Sequence, residues 1–144
     1  MDHYTLEKRA CLLYTPLSVP DVEHLVLNDQ CGAVTTFCGR VRNHNEGFGV
    51  SSIAYEAYEA MALKVIKKIL DEADQKFNDT RSAAYHRLGH LEVGDAAVVV
   101  SVAAAHRQVT FEACAWIIDE LKTRTPIFKH EQRENGVVWV GLGP

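Results

Sequence analysis

A chain of 144 residues and 16.1 kDa is long enough to bury a core of its own, since a domain of about 150 residues removes roughly 68 to 70% of its unfolded surface from water. Apolar residues at 47% and charged residues at 24% exclude a disordered or low-complexity chain, and a net charge of −4 excludes a general nucleic-acid binder, which needs a basic surface. The longest apolar run, residues 96–105, covers about ten positions against the ~20 that a spanning helix needs, so no membrane segment is expected.

The first ten residues mix Asp2, Glu7, Lys8 and Arg9 without an apolar stretch. That is not the pattern of a secretory signal, and the expected compartment is the cytoplasm. Residues 11–14 read as a short strand. Pro20, followed by Asp21, Val22, Leu25 and Val26, reads as a short helix with proline near its first turn. Residues 32–41 alternate around the β-formers Val34, Thr35, Thr36 and Phe37, then run into the loop residues Arg42, Asn43, His44, Asn45, Glu46 and Gly47. Residues 50–58 resume an extended pattern, with Ile53 and Tyr55 on one side and Ala54 and Glu56 on the other. The two strands flanking the loop are therefore expected to form a hairpin.

From Glu59 the period changes to that of a helix. Ala62, Ile66, Ile69, Leu70, Ala73 and Phe77 recur at helical spacing, with lysines and acids between them, over about five turns. Residues 81–91 and 96–104 read as two strands joined at Val93, Gly94 and Asp95, the second Val-rich and buried on both faces. A second main helix carries Val109, Ala113, Trp116, Ile117 and Leu121 on one face, widened by Cys114 and Ile118. Pro126 disfavours helical geometry at Thr125 and stops it. Residues 127–131 and 137–140 read as short strands around a turn at Asn135 and Gly136. With no internal repeat or linker, residues 1–144 are expected to form one α/β or α+β domain with a mixed, mainly antiparallel sheet and two main helices.

Four cysteines spread along a chain with its own apolar core do not suggest a disulfide framework. No CxxC pair occurs, and His86 and His90 lack a second ligand pair at zinc spacing, so neither a metal nor another cofactor is expected. Charge is unevenly placed. Residues 31–45 hold two arginines and no acid, and residues 121–130 hold Lys122, Arg124, Lys129 and His130 and no acid, which points to a compact site for a small anion.

Arg40 and Arg42, separated by Val41 at a strand end, share a face and suit bidentate recognition of phosphate or carboxylate; two solvated edge arginines are the plainer alternative. His106 and Arg107 open the second main helix, where backbone N–H groups attract anions, or they merely decorate its start. Lys122 and Lys129 flank a Thr-Pro corner that folds the chain back, so they can share a pocket, although Lys122 also suits a helix C-terminus as a dipole partner. Cys38 is a candidate thiol nucleophile, with His106 or His44 as base, but a cysteine within a β pattern is more commonly a small buried hydrophobe. Trp116 and Trp139 read as core or interface aromatics.

Taken together and in order, these segments resemble the large-subunit family of molybdopterin synthase. The resemblance is carried by Gly32-Ala33-Val34-Thr35-Thr36-Phe37-Cys38-Gly39-Arg40-Val41-Arg42-Asn43-His44-Asn45, by Tyr85-His86-Arg87-Leu88-Gly89 with Val93-Gly94-Asp95, and by Ala105-His106-Arg107 with Phe111-Glu112-Ala113. The last stretch is Asp119-Glu120-Leu121-Lys122-Thr123-Arg124-Thr125-Pro126-Ile127-Phe128-Lys129, closed by Trp139-Val140. It spans residues 31–140.

The resemblance implies an α+β, α/β-hammerhead-like fold and a homodimer with a small ubiquitin-like sulfur-carrier subunit at each end, a heterotetramer in all. The carrier's C-terminal glycine thiocarboxylate enters a large-subunit pocket, and two sulfur transfers convert cyclic pyranopterin monophosphate into the dithiolene of molybdopterin. Arg42, His106 and Arg107 then bind anion and pterin, Lys122 and Lys129 are the catalytic lysines, and Arg40, Val41, His130 and Glu131 complete the substrate pocket. The sequence departs from family members that extend the tail with charged residues, since Gly141-Leu142-Gly143-Pro144 offers none. Two other readings compete: a noncatalytic adaptor for a ubiquitin-like tail, against which the pair of lysines argues, and a phosphometabolite enzyme, for which no nucleotide-binding glycine fingerprint speaks. A thiol-dependent sulfurtransferase would be exposed by loss of activity in Cys38→Ala.

Overall fold

The computed structural model describes residues 8–142; the amino-terminal pattern around Asp2 and Glu7 and the tail residues Gly143 and Pro144 lie outside the described residues. Among the described residues, nine strands and three helices follow the order β1 (Ala10–Leu13), α1 (Val19–Val26), β2 (Ala33–Arg40), β3 (His44–Asn45), β4 (Phe48–Ala57), α2 (Glu59–Lys76), β5 (Arg81–Arg87), β6 (Gly89–Glu92), β7 (Ala96–Ala104), α3 (Arg107–Arg124), β8 (Ile127–Arg133) and β9 (Gly136–Leu142). None of these helices is long and apolar enough to cross a membrane.

The mixed, mainly antiparallel pairing is divided between two sheets. One runs β1-β5-β7-β2, with β1 parallel to β5 and the other pairs antiparallel; the second runs β3-β4-β8-β9, with β6 also paired to β4. Strand β7 is central to the first sheet and buried from Ala97 to Ala104. Its Val98, Val100 and Val102 pack with α2 and α3, while Val99 and Ala103 pack on the other side against Val22 and Val26 of α1. Continuous valine suits this position because both faces are covered.

Helix α2 buries Ala62, Ile66, Ile69, Leu70 and Ala73, the positions that the helical period selects. Helix α1 starts at Ser18, whose hydroxyl accepts the Asp21 N–H at 3.3 Å, with Pro20 in the first turn. Helix α3 ends at Arg124 and is capped by the extended Thr125, one residue before Pro126, and Arg124 ties it to Glu72 of α2 at 2.7 Å.

Two expectations about strand pairing are corrected. Strands β2 and β4 do not form a hairpin: β2 pairs with β7 over eight positions, while β4 lies in the second sheet. The loop between them makes its own tight hairpin, β3 with β4, closed by Glu46 (φ 52°) and Gly47 (φ 82°) as a two-residue turn with both central residues left-handed. The single strand expected over residues 81–91 is two strands. Gly89 adopts φ 89°, a conformation that side chains other than glycine's resist, and this turn carries the chain from the first sheet into the second. Leu88 N–H donates to Leu13 O at 2.7 Å at the break.

Candidate active site

Where the two sheets meet beside the end of α3, a cavity of about 500 Å³ is lined by Phe37, Cys38, Gly39, Arg40, Arg42, Tyr55, Ala97, Val98 and Lys122. Three cations and no carboxylate stand among these lining residues. Arg40 leaves the end of β2 and is steadied by donating from Nε to Gly94 O at 3.1 Å; Arg42 donates to Asn45 Oδ1 at 3.4 Å; Lys122 projects from the last turn of α3.

Lys129 joins this group through strand register. It lies directly across from Tyr55 on the neighbouring strand, and paired residues share a face of the sheet. Burial pushes its ammonium pKa below the ordinary value, and the charges of Lys122 and Arg42 push it the same way, while Glu131 opposes them. A lysine in this state gives up its proton more readily than a solvated one. Tyr55 is held neutral, its phenol pushed up to about 12 chiefly by burial.

The remaining expected site residues are placed differently. Val41 is 4% exposed; its side chain packs with Val50, Ile53 and Leu91, and its backbone N–H and C=O are taken by Asp95 and Gly94. Glu131 is 3% exposed and stands behind the cavity, where both carboxylate oxygens accept from Asn45 Nδ2 at 3.1 and 3.0 Å and Arg133 Nε donates to Oε1 at 2.9 Å. It thereby braces Asn45, the residue that Arg42 contacts. His130, next to Lys129 on the strand, faces the other side of the sheet, with its ring centroid 3.9 Å from that of Trp139 and its Nε2 3.4 Å from Glu56 Oε2. It does not line the cavity in this chain.

His106 and Arg107 are also elsewhere. Both are exposed at the start of α3 with no acid in the first turn, and fifteen helical steps, a rise of about 22 Å, separate Arg107 from Lys122. Within one chain they cannot share a small substrate with the lysines. Tyr55, Asn45 and Arg133 were not singled out from sequence as parts of a site, whereas Glu131 was, as a residue of the pocket. The alternation of β4 gave the face of Tyr55, but its partner strand was not legible.

Cys38 is a half-buried free thiol on the cavity wall, packed against the α1-side cluster. Among the described residues no group of three or more potential metal ligands occurs.

Comparison with known proteins gives a consistent result. The family model described as MoaE protein matches residues 12–124. The molybdopterin synthase catalytic subunit of Pyrococcus abyssi is 42% identical over 116 residues, covering 81% of this chain and 78% of that protein. Molybdopterin synthase catalytic subunit 1 of Mycobacterium tuberculosis is 40% identical over 129 residues, covering 90% and 88%. Among solved structures, that of molybdopterin synthase from Staphylococcus aureus superposes with a TM-score of 0.87 at 33% identity, over 90% of this chain and 95% of that one.

Proposed function

The chain belongs to the MoaE family of molybdopterin synthase catalytic subunits, and from that premise we propose that its basic cavity is where sulfur passes from a carrier thiocarboxylate to cyclic pyranopterin monophosphate. It is a sulfurtransferase of molybdenum cofactor biosynthesis. The observation that carries the placement is the convergence of Arg40, Arg42 and Lys122 on one cavity without a carboxylate in its lining, with Lys129 beside them.

Both reactants are anions. The cyclic phosphate calls for guanidinium forks, which Arg40 and Arg42 supply, and the thiocarboxylate is a second negative charge that the same cations hold close to the pterin. Lys122, on the cavity wall, stabilises charge that develops during transfer. Lys129, with its lowered pKa, moves the proton. The cavity opens to solvent, as a tail delivered by a small ubiquitin-like subunit requires. The four free thiols Cys11, Cys31, Cys38 and Cys114 suit a chain working in the reducing cytoplasm.

His106 and Arg107 enter this reading through a second copy of the chain. Strand β2 is an edge of its sheet, with Val34 37% exposed and, on the helix beside it, Phe111 52% exposed. If two β2 edges pair antiparallel about a twofold axis, the Ala33 end of one strand meets the Arg40 end of the other. Ala33 is itself paired with Ala104, two residues before His106. The partner's helix start then approaches Arg40, and each cavity of the homodimer gains an anion-binding helix N-terminus. With one carrier subunit at each cavity the assembly is a heterotetramer.

The test combines the chain with a thiocarboxylated small subunit and the cyclic pterin precursor and measures molybdopterin. Wild type and Cys38→Ala are expected to form product and Lys122→Ala little. Folded wild type that binds the carrier tail but forms no product would instead mark a noncatalytic adaptor.

A further inference from the structure

Arg40 ends strand β2 with its side chain exposed, and an arginine so placed sweeps through solvent unless something holds it. What holds it is the turn that joins β6 to β7 and so carries the chain between the two sheets. Arg40 Nε donates to Gly94 O at 3.1 Å. Among the described residues the guanidinium makes no other hydrogen bond or ion pair, which leaves its two terminal nitrogens for an anion.

The turn is closed from both sides. Asp95 N–H donates to Glu92 O at 3.0 Å, and in return Asp95 Oδ2 accepts from Glu92 N–H at 2.9 Å. Between them Gly94 takes φ 92°, the left-handed geometry that a tight turn gives to glycine. The same glycine makes room for the guanidinium: a Cβ there would stand 3.2 Å from Arg40 Nη2 and push it aside. The turn is also sewn to the residue after Arg40, since Gly94 N–H donates to Val41 O at 2.8 Å and Val41 N–H to Asp95 O at 3.0 Å. Arg87 Nη1 donates to the same Asp95 Oδ2 at 3.4 Å and ties the turn to the end of β5.

We propose that Asp95 is a positioning residue for Arg40. Its carboxylate latches the 92–95 turn, and the turn presents one carbonyl and one bare α-carbon that together fix the guanidinium at the cavity. Asp95 is not among the lining residues and, as an anion, would repel both anionic reactants, so it acts through the arginine. A guanidinium already held meets the cyclic phosphate without first losing its rotamer freedom.

The role rests on the anion-binding reading of Arg40 proposed above; the latch does not. KM for the cyclic pterin precursor is measured, with the thiocarboxylated small subunit, for Asp95→Ala, Asp95→Asn and Gly94→Ala, each with Arg40 present and in Arg40→Ala. Asp95→Ala is expected to raise KM about fivefold, the ordering cost of one immobilised side chain, and less than about twofold once Arg40 is gone. Asp95→Asn, whose amide oxygen still accepts from Glu92, is expected to stay within about twofold of wild type. Gly94→Ala leaves Asp95 intact and should raise KM with the same dependence on Arg40, so it reports on the same contact should Asp95→Ala fail to fold. An equal rise with and without Arg40, or an unchanged KM in a folded Asp95→Ala, overturns the positioning role. So does an Asp95→Asn as impaired as Asp95→Ala, because the effect would then lie in the Arg87 ion pair. The latch alone is read by NMR from the Arg40 Nε–H, expected to exchange slowly with water in wild type and quickly in Asp95→Ala; equal rates overturn it. A wild-type chain with a slow Nε–H and no turnover refutes the sulfur-transfer reading and leaves the latch standing.

Discussion

His86 sets a specific acid sensitivity. Burial, aided by the charge of Lys129 and opposed by the Arg87 carbonyl, lowers its pKa from 6.5 to about 4. The unfolded chain therefore binds a proton near pH 6.5 that the folded chain refuses until about pH 4, and stability falls as pH descends through that interval. The whole gap corresponds to about 3 kcal/mol, of which about 2 kcal/mol is lost between pH 7 and pH 5. Screening by solvent does not reduce this, because the ring is buried. Glu72, whose carboxyl Arg124 holds below the usual range, acts mainly under this window. Guanidinium unfolding followed by tryptophan fluorescence at pH 7 and pH 5 measures the effect, with His86→Gln as the non-titrating reference. Wild type should lose about 2 kcal/mol more than the variant over this interval. Losses equal to within about 0.5 kcal/mol would refute the reasoning, since His86 would then be protonated in the folded state or open to solvent.

Lys122 contributes to the lowered pKa of Lys129, so Lys122→Gln should move the Lys129 titration upward, read from its ¹³Cε shift; an unchanged or lower value would place the two ammonium groups out of electrostatic reach. A cavity shared by two chains predicts complementation. Arg107→Ala and Lys122→Ala, each inactive alone, should recover about a quarter of wild-type activity when mixed and allowed to exchange, because half the dimers are mixed and each holds one intact site. Recovery of none would show that Arg107 and Lys122 of different chains do not build one site.

Elements whose identity is set along a single segment were legible. The spacing of Ala62, Ile66, Ile69, Leu70 and Ala73 is a property of α2 alone, and the valines of β7 record that both its faces are covered. Partner choice is not written in that way. The alternation of β2 fits β4 as well as it fits β7, and only the whole sheet decides between them. The break at Gly89 had a local signal, a glycine inside a strand pattern, but that signal marks a bend without saying that the chain changes sheets.

For the site, the acid-free stretches held Arg40, Arg42, Lys122, Arg124, Lys129 and His130; the fold brings Arg40, Arg42 and Lys122 to one cavity with Lys129 in electrostatic reach, while Arg124 pairs with Glu72 and Glu120 and His130 lies against Trp139. Strand and helix geometry alone separates the members that do not line the cavity within one chain. Neighbours on a strand face opposite ways, so Val41 cannot share a side with Arg40 and Arg42, nor His130 with Lys129. A helix is a rod of 1.5 Å per residue, so Arg107 and Lys122 at its two ends cannot grip one small molecule. An anion site that uses both ends of α3 therefore has to be assembled from two copies of the helix, and the free edge of β2 lies where an antiparallel partner would deliver the second.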